Sequence, residues 1–565
     1  MDRYKTGLLV IGGGGASLRA AVEARTAGID VLIARKGVGS TAFKVAETAG
    51  FNVPDGQVDS LDNPDEFYKD IMGAALGMAD PRLAEVLVED AGDTLKFLVE
   101  AGVPFVYDGD RFLEVVGCFA SRPRMHIIKG HGEPIVKALK SRVKELNIPV
   151  INKVMVTRII VDNNRVVGAV CLNLNNGEPF AVDCRAIFLG AGGAGQLFLF
   201  NHNPPDITGD GYALAYRAGA RLVNMEFMQA GLGFTRPVHS NFNNWIWSGY
   251  PTVANIFGES FIERYLPENV NINEVMDAKS AHYPFSARDV SKYIEIAIHK
   301  EIQAGRGTDR NSVPVDFAPL LQINTDSLPE SSVIKKMWPM TREYLEGRGV
   351  DFIKDSIEIS TFGHAINGGL VIDTDGMSTI EGLFAAGEVA GGPHGADRLG
   401  GNMLLTCQVF GARGGRAAAR YISKCSPTFI SGRTLDSEEK ELRSLYSPKG
   451  EITPEDLKKK LQTLMWGNYL IVKNEATLNK CLEGLKEVEK SLAYTRIKTI
   501  SDLRLCLEMK NMIVTAMMMC SAALLRKESR GSHYREDCPE MKEDFSRPLF
   551  INCENSRMIL EFGGF

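Results

Sequence analysis

At 565 residues the chain is too long for one hydrophobic core, so two or three domains are expected. A formal net charge of −6 with 44% hydrophobic residues fits an ordinary globular protein and argues against a nucleic-acid binder, which carries a basic excess. The ten cysteines stand apart without a CxxC pair, so neither iron–sulfur nor zinc ligation is expected and no metal ligand is assigned.

The opening residues run directly into a strand and carry no signal-peptide pattern, so a cytoplasmic location is expected. TGLLVI at 6–11 has the continuous apolar run of a buried parallel strand. Gly12, Gly13, Gly14 and Gly15 follow, then Ala16, Ser17 and a helical pattern through LRAAVEARTAG. Strand, glycine turn and helix form the setting in which a nucleotide pyrophosphate meets free N–H groups and the positive end of a helix dipole. Gly12 permits the tight turn and Gly14 the close approach, while Ser17 stands where a third glycine is usual. The second strand, DVLIA at 30–34, ends in Ala34, Arg35 and Lys36 where an acid would bond a ribose. Arg35 and Lys36 read either as partners of a phosphorylated ribose or as contacts on the adenine side. Ser40-Thr41, taken alone, reads as a helix cap.

Residues 62–108 carry helical spacing. Arg122, Arg124, His126 and His131 form a polar cluster that reads equally well as a cleft lining or a solvated loop. A helix is expected at 134–147 and a β-meander at 150–187. Residues 423–450, rich in Ser, Pro and charge, read as a linker, and 453–527 as three or four helices. The apolar run Met512–Leu525 falls short of the roughly 20 residues needed to span a bilayer, so a buried helix is expected there. The tail, LFINCENSRMILEFGGF, reads as strands laid against a partner or a neighbouring domain.

Several motifs act together. They are Gly190-Ala191-Gly192-Gly193, TGDGYALA at 208–215, MEFMQ at 225–229, GESFIERY at 258–265 and RDVS at 288–291. Further on come His364 four residues before Gly368-Gly369, Ala386-Gly387-Glu388, Arg398 in HGADRLGGN, and ESRGSHYRED at 528–537. Together they resemble the succinate dehydrogenase/fumarate reductase flavoprotein family, which includes L-aspartate oxidase, adenylylsulfate reductase and soluble enoate reductases. The resemblance implies an α/β fold: a Rossmann-like FAD-binding domain with an inserted capping domain and a C-terminal helical domain. It places the FAD domain at 1–230 and 355–422, the cap at 231–354, the helical domain at 435–545 and a tail at 546–565.

The resemblance also implies FAD as cofactor. Succinate dehydrogenases carry a flavin-bonding His where Ser40 stands here, as in L-aspartate oxidases, so the FAD is expected to be non-covalent. Cofactor contacts are implied for Gly12, Gly14, Gly15 and Ala16, for Arg35, Lys36, Ser40 and Thr41, and for Val154, Ala191, Gly192 and Asp210. At the far end of the chain they are implied for Gly387, Glu388, Arg398, Asn402, Leu404 and Leu405. Arg288 is expected to move a proton at the substrate carbon, with His364 and Arg398 clamping one carboxylate. An Arg can exchange a proton only in a dry, polarised site, because its ordinary pKa lies above about 12.

The chain also departs from the dicarboxylate enzymes. These continue with His-x-Thr, then a Thr-Glu pair and an Arg-Gly-Glu-Gly run, which hold the second carboxylate. Here stand Ala230-Gly231-Leu232-Gly233 and then NFNNWIWSGYP, an aromatic run readable as cap core or as the wall of a flatter, more apolar site. The expected substrate therefore has one carboxylate beside the reacting carbon–carbon bond. With no cysteine cluster in the chain, the expected electron partner is a separate iron–sulfur protein subunit or a diffusible carrier. The alternatives are an amino-acid oxidase, an adenylylsulfate-reductase-like flavoprotein and a non-catalytic FAD relay.

Overall fold

The structure is a computed structural model that describes every residue except 45, 331 and 448. Its main sheet orders the strands Val150–Asn152, Val31–Arg35, Asp2–Ile11, Pro179–Leu189, Arg165–Asn173 and Val154–Asp162, with Leu383–Ala385 paired to Pro179–Leu189. Asp2–Ile11 runs parallel to both its neighbours, and its apolar half is fully enclosed. A strand covered on both faces reads as an unbroken aliphatic run, as this one does. The meander is antiparallel, and its first turn, Asn163-Asn164, holds both residues at positive φ as a two-residue hairpin turn demands.

Helix Gly15–Thr26 covers this sheet together with the long helix Asn402–Lys424. The two helices approach closely because the second carries glycine at the seam. A Cβ on Gly411 would come within 2.9 Å of the Ala16 carbonyl oxygen, and one on Gly415 within 2.5 Å of that of Ala20. The first and last thirds of the chain are thereby locked into one layer.

A second sheet orders Ser240–Asn241, Met228–Arg236, Glu358–Ile366, Val313–Asp316 and Thr252–Val253. The aromatic run at 242–250 packs behind it. Phe242 meets Trp247 at 5.3 Å, Trp245 meets Trp338 at 6.3 Å, and both tryptophans of the run are buried. The run is therefore core of the cap and not the wall of a binding site. Its large rings fill the space between the sheet and the helix Val333–Glu346, where burial gains most.

The expected linker at 423–450 contains a helix, Gly432–Ser444, capped by Ser431. Leu435 and Leu442 turn inward against the meander, so two apolar residues seven apart override the polar composition. Three helices follow: Pro454–Asn468, Glu475–Leu492 and Ile500–Leu525. The last two begin with capping boxes at Asn474 and Thr499. Helix Ile500–Leu525 is long and apolar enough to cross a membrane, but 78% of its most apolar window is buried inside the fold. Strands Leu549–Glu554 and Arg557–Phe562 form a hairpin that joins Leu222–Val223, Gly369–Val371 and Ala390–Gly391 in a further sheet.

Candidate active site

The main cavity opens where two helices begin. Helix Gly15–Thr26 starts from Gly14 with no side-chain cap and no acid in its first turn. Helix Asn402–Lys424 starts from Gly401, at φ 86°, also uncapped. Gly12–Ala16 and Gly401, Met403 and Leu404 line the cavity, so both helix starts border it, with Gly15 N–H already given to Thr41 Oγ1. Gly12 holds φ 119°, and a Cβ there would lie 2.3 Å from the Gly190 carbonyl oxygen, so only glycine fits this turn.

Fifteen of the residues expected to touch a cofactor line this cavity: Gly12, Gly14, Gly15, Ala16, Lys36, Ser40, Thr41, Val154, Ala191, Gly192, Asp210, Gly387, Glu388, Arg398 and Leu404. Arg35, Asn402 and Leu405 do not. Arg35 donates instead to Asn152 at 2.5 Å. Asn402 accepts from Asn52 at 2.6 Å, and Leu405 is fully enclosed in the core. Helical phase accounts for Leu405, because Leu404 and Cys407, three apart, share the cavity face while Leu405 turns into the core. Lys36 is already neutralised, lying 2.6 Å from Asp210 and 2.8 Å from Glu508. Burial works to lower its pKa, but the two carboxylates outweigh it and hold the pKa above the ordinary lysine value. Asp210 is correspondingly committed to Lys36, Thr208 and Asn511.

Several polar atoms on the cavity are buried without partners, among them Ser40 Oγ, His131 Nδ1, His202 Nδ1, His364 Nδ1 and Arg398 Nε. Uncapped helix starts, a glycine turn and orphaned donors suit an extended dinucleotide with a polar group at its far end. Of the polar cluster at 122–131, only His131 reaches the cavity. Arg122 pairs with Asp59, and Arg124 is buried against Asp62 and Asp70.

At the far end Arg398 Nη2 donates to His364 Nε2 at 3.2 Å. Guanidinium has no acceptor, so the neutral imidazole carries its proton on Nδ1, which is left unpartnered. Burial, reinforced by Arg398, pushes the His364 pKa down to about 3, so the ring is neutral at pH 7. Among the described residues Arg398 has no carboxylate within ion-pair distance, although it is only 9% exposed. Burial lowers its pKa, against the weaker opposing pull of Cys118, Glu388 and Cys407, none of which pairs with it directly. Glu388, on the opposite side, is pushed up to about 7 by burial, even though the Ile366 N–H donates to it.

One residue that the motifs did not signal, His202, completes the wall, and Tyr283 holds it in place. Tyr283 donates its only hydroxyl proton to the Leu232 carbonyl at 3.0 Å, so its oxygen accepts from His202 Nε2 at 3.0 Å. His202 Nδ1 is therefore a bare acceptor in the cavity. His202 stacks on Phe362 at 4.5 Å, and its ring centre lies 6.2 Å from that of His364. The only sequence hint was the polar triplet Asn201-His202-Asn203 after an apolar run.

Arg288 does not line the cavity. Its Nε and Nη2 donate to Asp397 at 3.0 and 2.8 Å, Nη2 also donates to the Ala74 carbonyl, and the guanidinium lies over Phe119. Asp397 thus pairs with Arg288 and not with its chain neighbour Arg398.

A two-ended dinucleotide cradle that leads to a buried arginine–histidine pair is the framework of a flavin-dependent oxidoreductase. Residues 7–242 and 260–404 match the FAD binding domain model, and 458–557 match the fumarate reductase flavoprotein C-term model. The first match breaks at the aromatic run of the cap. The chain is 34% identical over 562 residues to a protein from Methanocaldococcus jannaschii named as an uncharacterized FAD-dependent oxidoreductase, covering 97% of this chain and 96% of that one. It is 32% identical over 565 residues to a protein of Methanothermobacter marburgensis named as one of the subunits of fumarate reductase (CoM/CoB), covering 98% of both. The solved structure of Mycobacterium smegmatis Sdh1 in complex with UQ1 superposes with TM-score 0.86 at 27% identity, over 100% of this chain and 95% of that one. The chain belongs to the succinate dehydrogenase/fumarate reductase flavoprotein family. It is an FAD-dependent oxidoreductase of the type that acts on CH–CH bonds.

Proposed function

We propose that this enzyme moves a hydride between non-covalent FAD and a carbon–carbon bond next to a single carboxylate, reducing an enoate or dehydrogenating the saturated acid. The observation that carries this reading is Arg398, a buried guanidinium without a carboxylate, beside a His364 with a free Nδ1–H. An unpaired buried charge costs several kcal/mol, which an anionic ligand would offset. Arg398 and His364 would donate to the carboxylate oxygens, holding the acid in place and polarising the conjugated double bond. FAD, when bound, supplies the two-electron chemistry. The turn Gly12–Ala16 would hold its pyrophosphate, and Ser40 Oγ is a free group for it.

The family resemblance assigns the α-proton to Arg288, which pairs with Asp397 off the cavity wall, so the assignment requires its guanidinium to reach the substrate in the bound enzyme. Asp397 fixes its Nε and Nη2, which leaves Nη1 for proton exchange. The bare acceptor at His202 Nδ1 repels a second carboxylate and suits a neutral or hydrogen-bond-donating group. An iron–sulfur protein subunit is the proposed electron partner, since among the described residues no four-thiol cluster exists.

Fumarate is the second reading, favoured by the 32% identity to the Methanothermobacter marburgensis protein named for fumarate reductase. Anaerobic reoxidation of the reduced flavin separates the two. Rapid reoxidation by a monocarboxylic 2-enoate with little response to fumarate supports the first reading. The reverse order supports the second.

A further inference from the structure

Away from the cavity, three ligand-type side chains converge on the small sheet formed by strands Thr48–Asn52, Glu114–Val116 and Pro123–Lys129. Glu114 and His126 are direct cross-strand partners. Asp55 lies just beyond the end of the neighbouring strand, and one ligand atom from each residue falls within 4.8 Å of the others. His126 Nε2 is 3.0 Å from Asp55 Oδ2 and 3.6 Å from Glu114 Oε1.

The chemistry of the trio is one-sided. The other nitrogen of His126, Nδ1, is 3.0 Å from the Arg124 carbonyl oxygen, which can only accept. Nδ1 therefore carries a proton, and Nε2 faces both carboxylates, hydrogen-bonded to Asp55 while no ion is bound and open to a metal in place of that proton. Glu114 Oε1 is buried without a partner, in a residue only 4% exposed. Asp55 Oδ2 is bonded to Gln57 Nε2 and to His126 Nε2, each at 3.0 Å. Of the arginines nearby, Arg124 is committed to Asp62 and Asp70, and Arg111 donates to the Gln57 carbonyl and forms no ion pair with the trio. Three ligand-type groups thus meet with no arginine or lysine paired to any of them, and only protons lie between them while no ion is bound.

We propose that Asp55, Glu114 and His126 bind one divalent transition-metal ion of the zinc class, with water as the remaining ligand. The two carboxylates match the charge of the ion, and the imidazole selects against Mg²⁺ and Ca²⁺. A tetrahedral ion with bonds of about 2.1 Å has ligand–ligand edges of about 3.4 Å, close to the separations seen. The carbonyl behind Nδ1 is the support that a metal-bound histidine requires. Phe105 and Phe112 pack on the ring and hold it in place, while Asp55 stands at the solvent rim and leaves an entry path. The ion would staple three strands. One of them carries Ala49 and Gly50 on the cavity wall, and Asn52, which donates to the Gly400 carbonyl beyond Arg398.

The test uses the full-length FAD-loaded protein, stripped with chelator, incubated with Zn²⁺, desalted and analysed for metal. The wild type should retain one zinc per chain and melt at a higher temperature with zinc than without. Mg²⁺ should have no effect. Glu114→Gln, which keeps shape and burial, should lower zinc affinity by about 100-fold or more and lose the thermal shift, with FAD content unchanged. Asp55→Asn, at the exposed rim, repeats the test where folding is not at risk. A wild type that retains no zinc, or variants that retain as much as it does, would overturn the proposal and show that protons hold the trio together.

Discussion

Two regions of this molecule bury arginines and treat them in opposite ways. In the loop after helix Ile500–Leu525, Arg526 meets Glu226 at 2.6 Å and Glu528 at 3.0 Å, and Arg530 meets Glu528 at 2.8 Å. This loop clasps the segment that carries the cavity arginine, with Ser532 Oγ donating to the Ala396 carbonyl at 2.8 Å. In the clasp each of these guanidiniums has a carboxylate. Two residues past Ala396, Arg398 has none. Paired burial serves architecture, since breaking it strands a charge. Unpaired burial is tolerated where a ligand completes it.

The largest effect is expected at Arg398. Arg398→Gln should lower kcat/KM by about 10³-fold, as loss of a donor to developing charge does. It should not lower the melting temperature, because an uncompensated charge is removed. Steady-state kinetics and a thermal melt on one preparation check both halves. A variant that loses stability in proportion to activity would erase the contrast between the regions.

Arg526→Met should do the reverse. It strands Glu226 and Glu528 and should cost about 3–5 kcal/mol in stability, with kcat/KM per folded molecule little changed. Denaturant unfolding measures the loss.

The carboxylates should respond to pH with opposite slopes. Burial holds Glu388 up to about 7, against an unfolded value of 4.5. Between those values the folded state keeps a proton that the unfolded chain has released, so stability falls as pH rises, by about 3 kcal/mol in all. At Glu528 burial acts upward, but Arg530, the Lys542 N–H and Arg526 outweigh it and hold the pKa low. Its contribution is present above the unfolded value and lost as pH falls through the folded one. Unfolding of the apoprotein across this range should therefore flatten on the neutral side in Glu388→Gln and on the acid side in Glu528→Gln.

The smallest expected effect lies at the helix seam beneath both regions. Gly411→Ala would press a methyl against the Ala16 carbonyl and should cost about 1–3 kcal/mol, with FAD affinity reduced as the glycine turn shifts. Thermal melting and FAD titration report the two parts.

Much of the nucleotide half of the site was legible because its chemistry is local. A tight turn needs Gly12 where it stands, and a helix start follows immediately, so adjacent residues suffice to define it. The same holds for the buried strand at 6–11 and for the final long helix. Arg35, Asn402 and Leu405 went astray for a different reason: their chain position is right but their side chains face away from the cavity. At 423–450 the polar composition points to a linker, but the inward pair Leu435 and Leu442 makes Gly432–Ser444 a packed helix. The aromatic run held two readings until its packing partners Phe317 and Trp338, some 70 to 90 residues away, were in place.

By itself the sequence determined most of the elements, the glycine turn and the FAD framework, and it singled out His364 and Arg398. These rest on spacing and on backbone conformations that few residues tolerate. The tertiary structure alone decided which charges are satisfied. It turned Asp397 to Arg288, left Arg398 bare, brought His202 to Tyr283 and gathered Asp55, Glu114 and His126 at one point. Pairing depends on distances of a few ångströms between residues far apart in the chain, and spacing along a sequence carries no record of them.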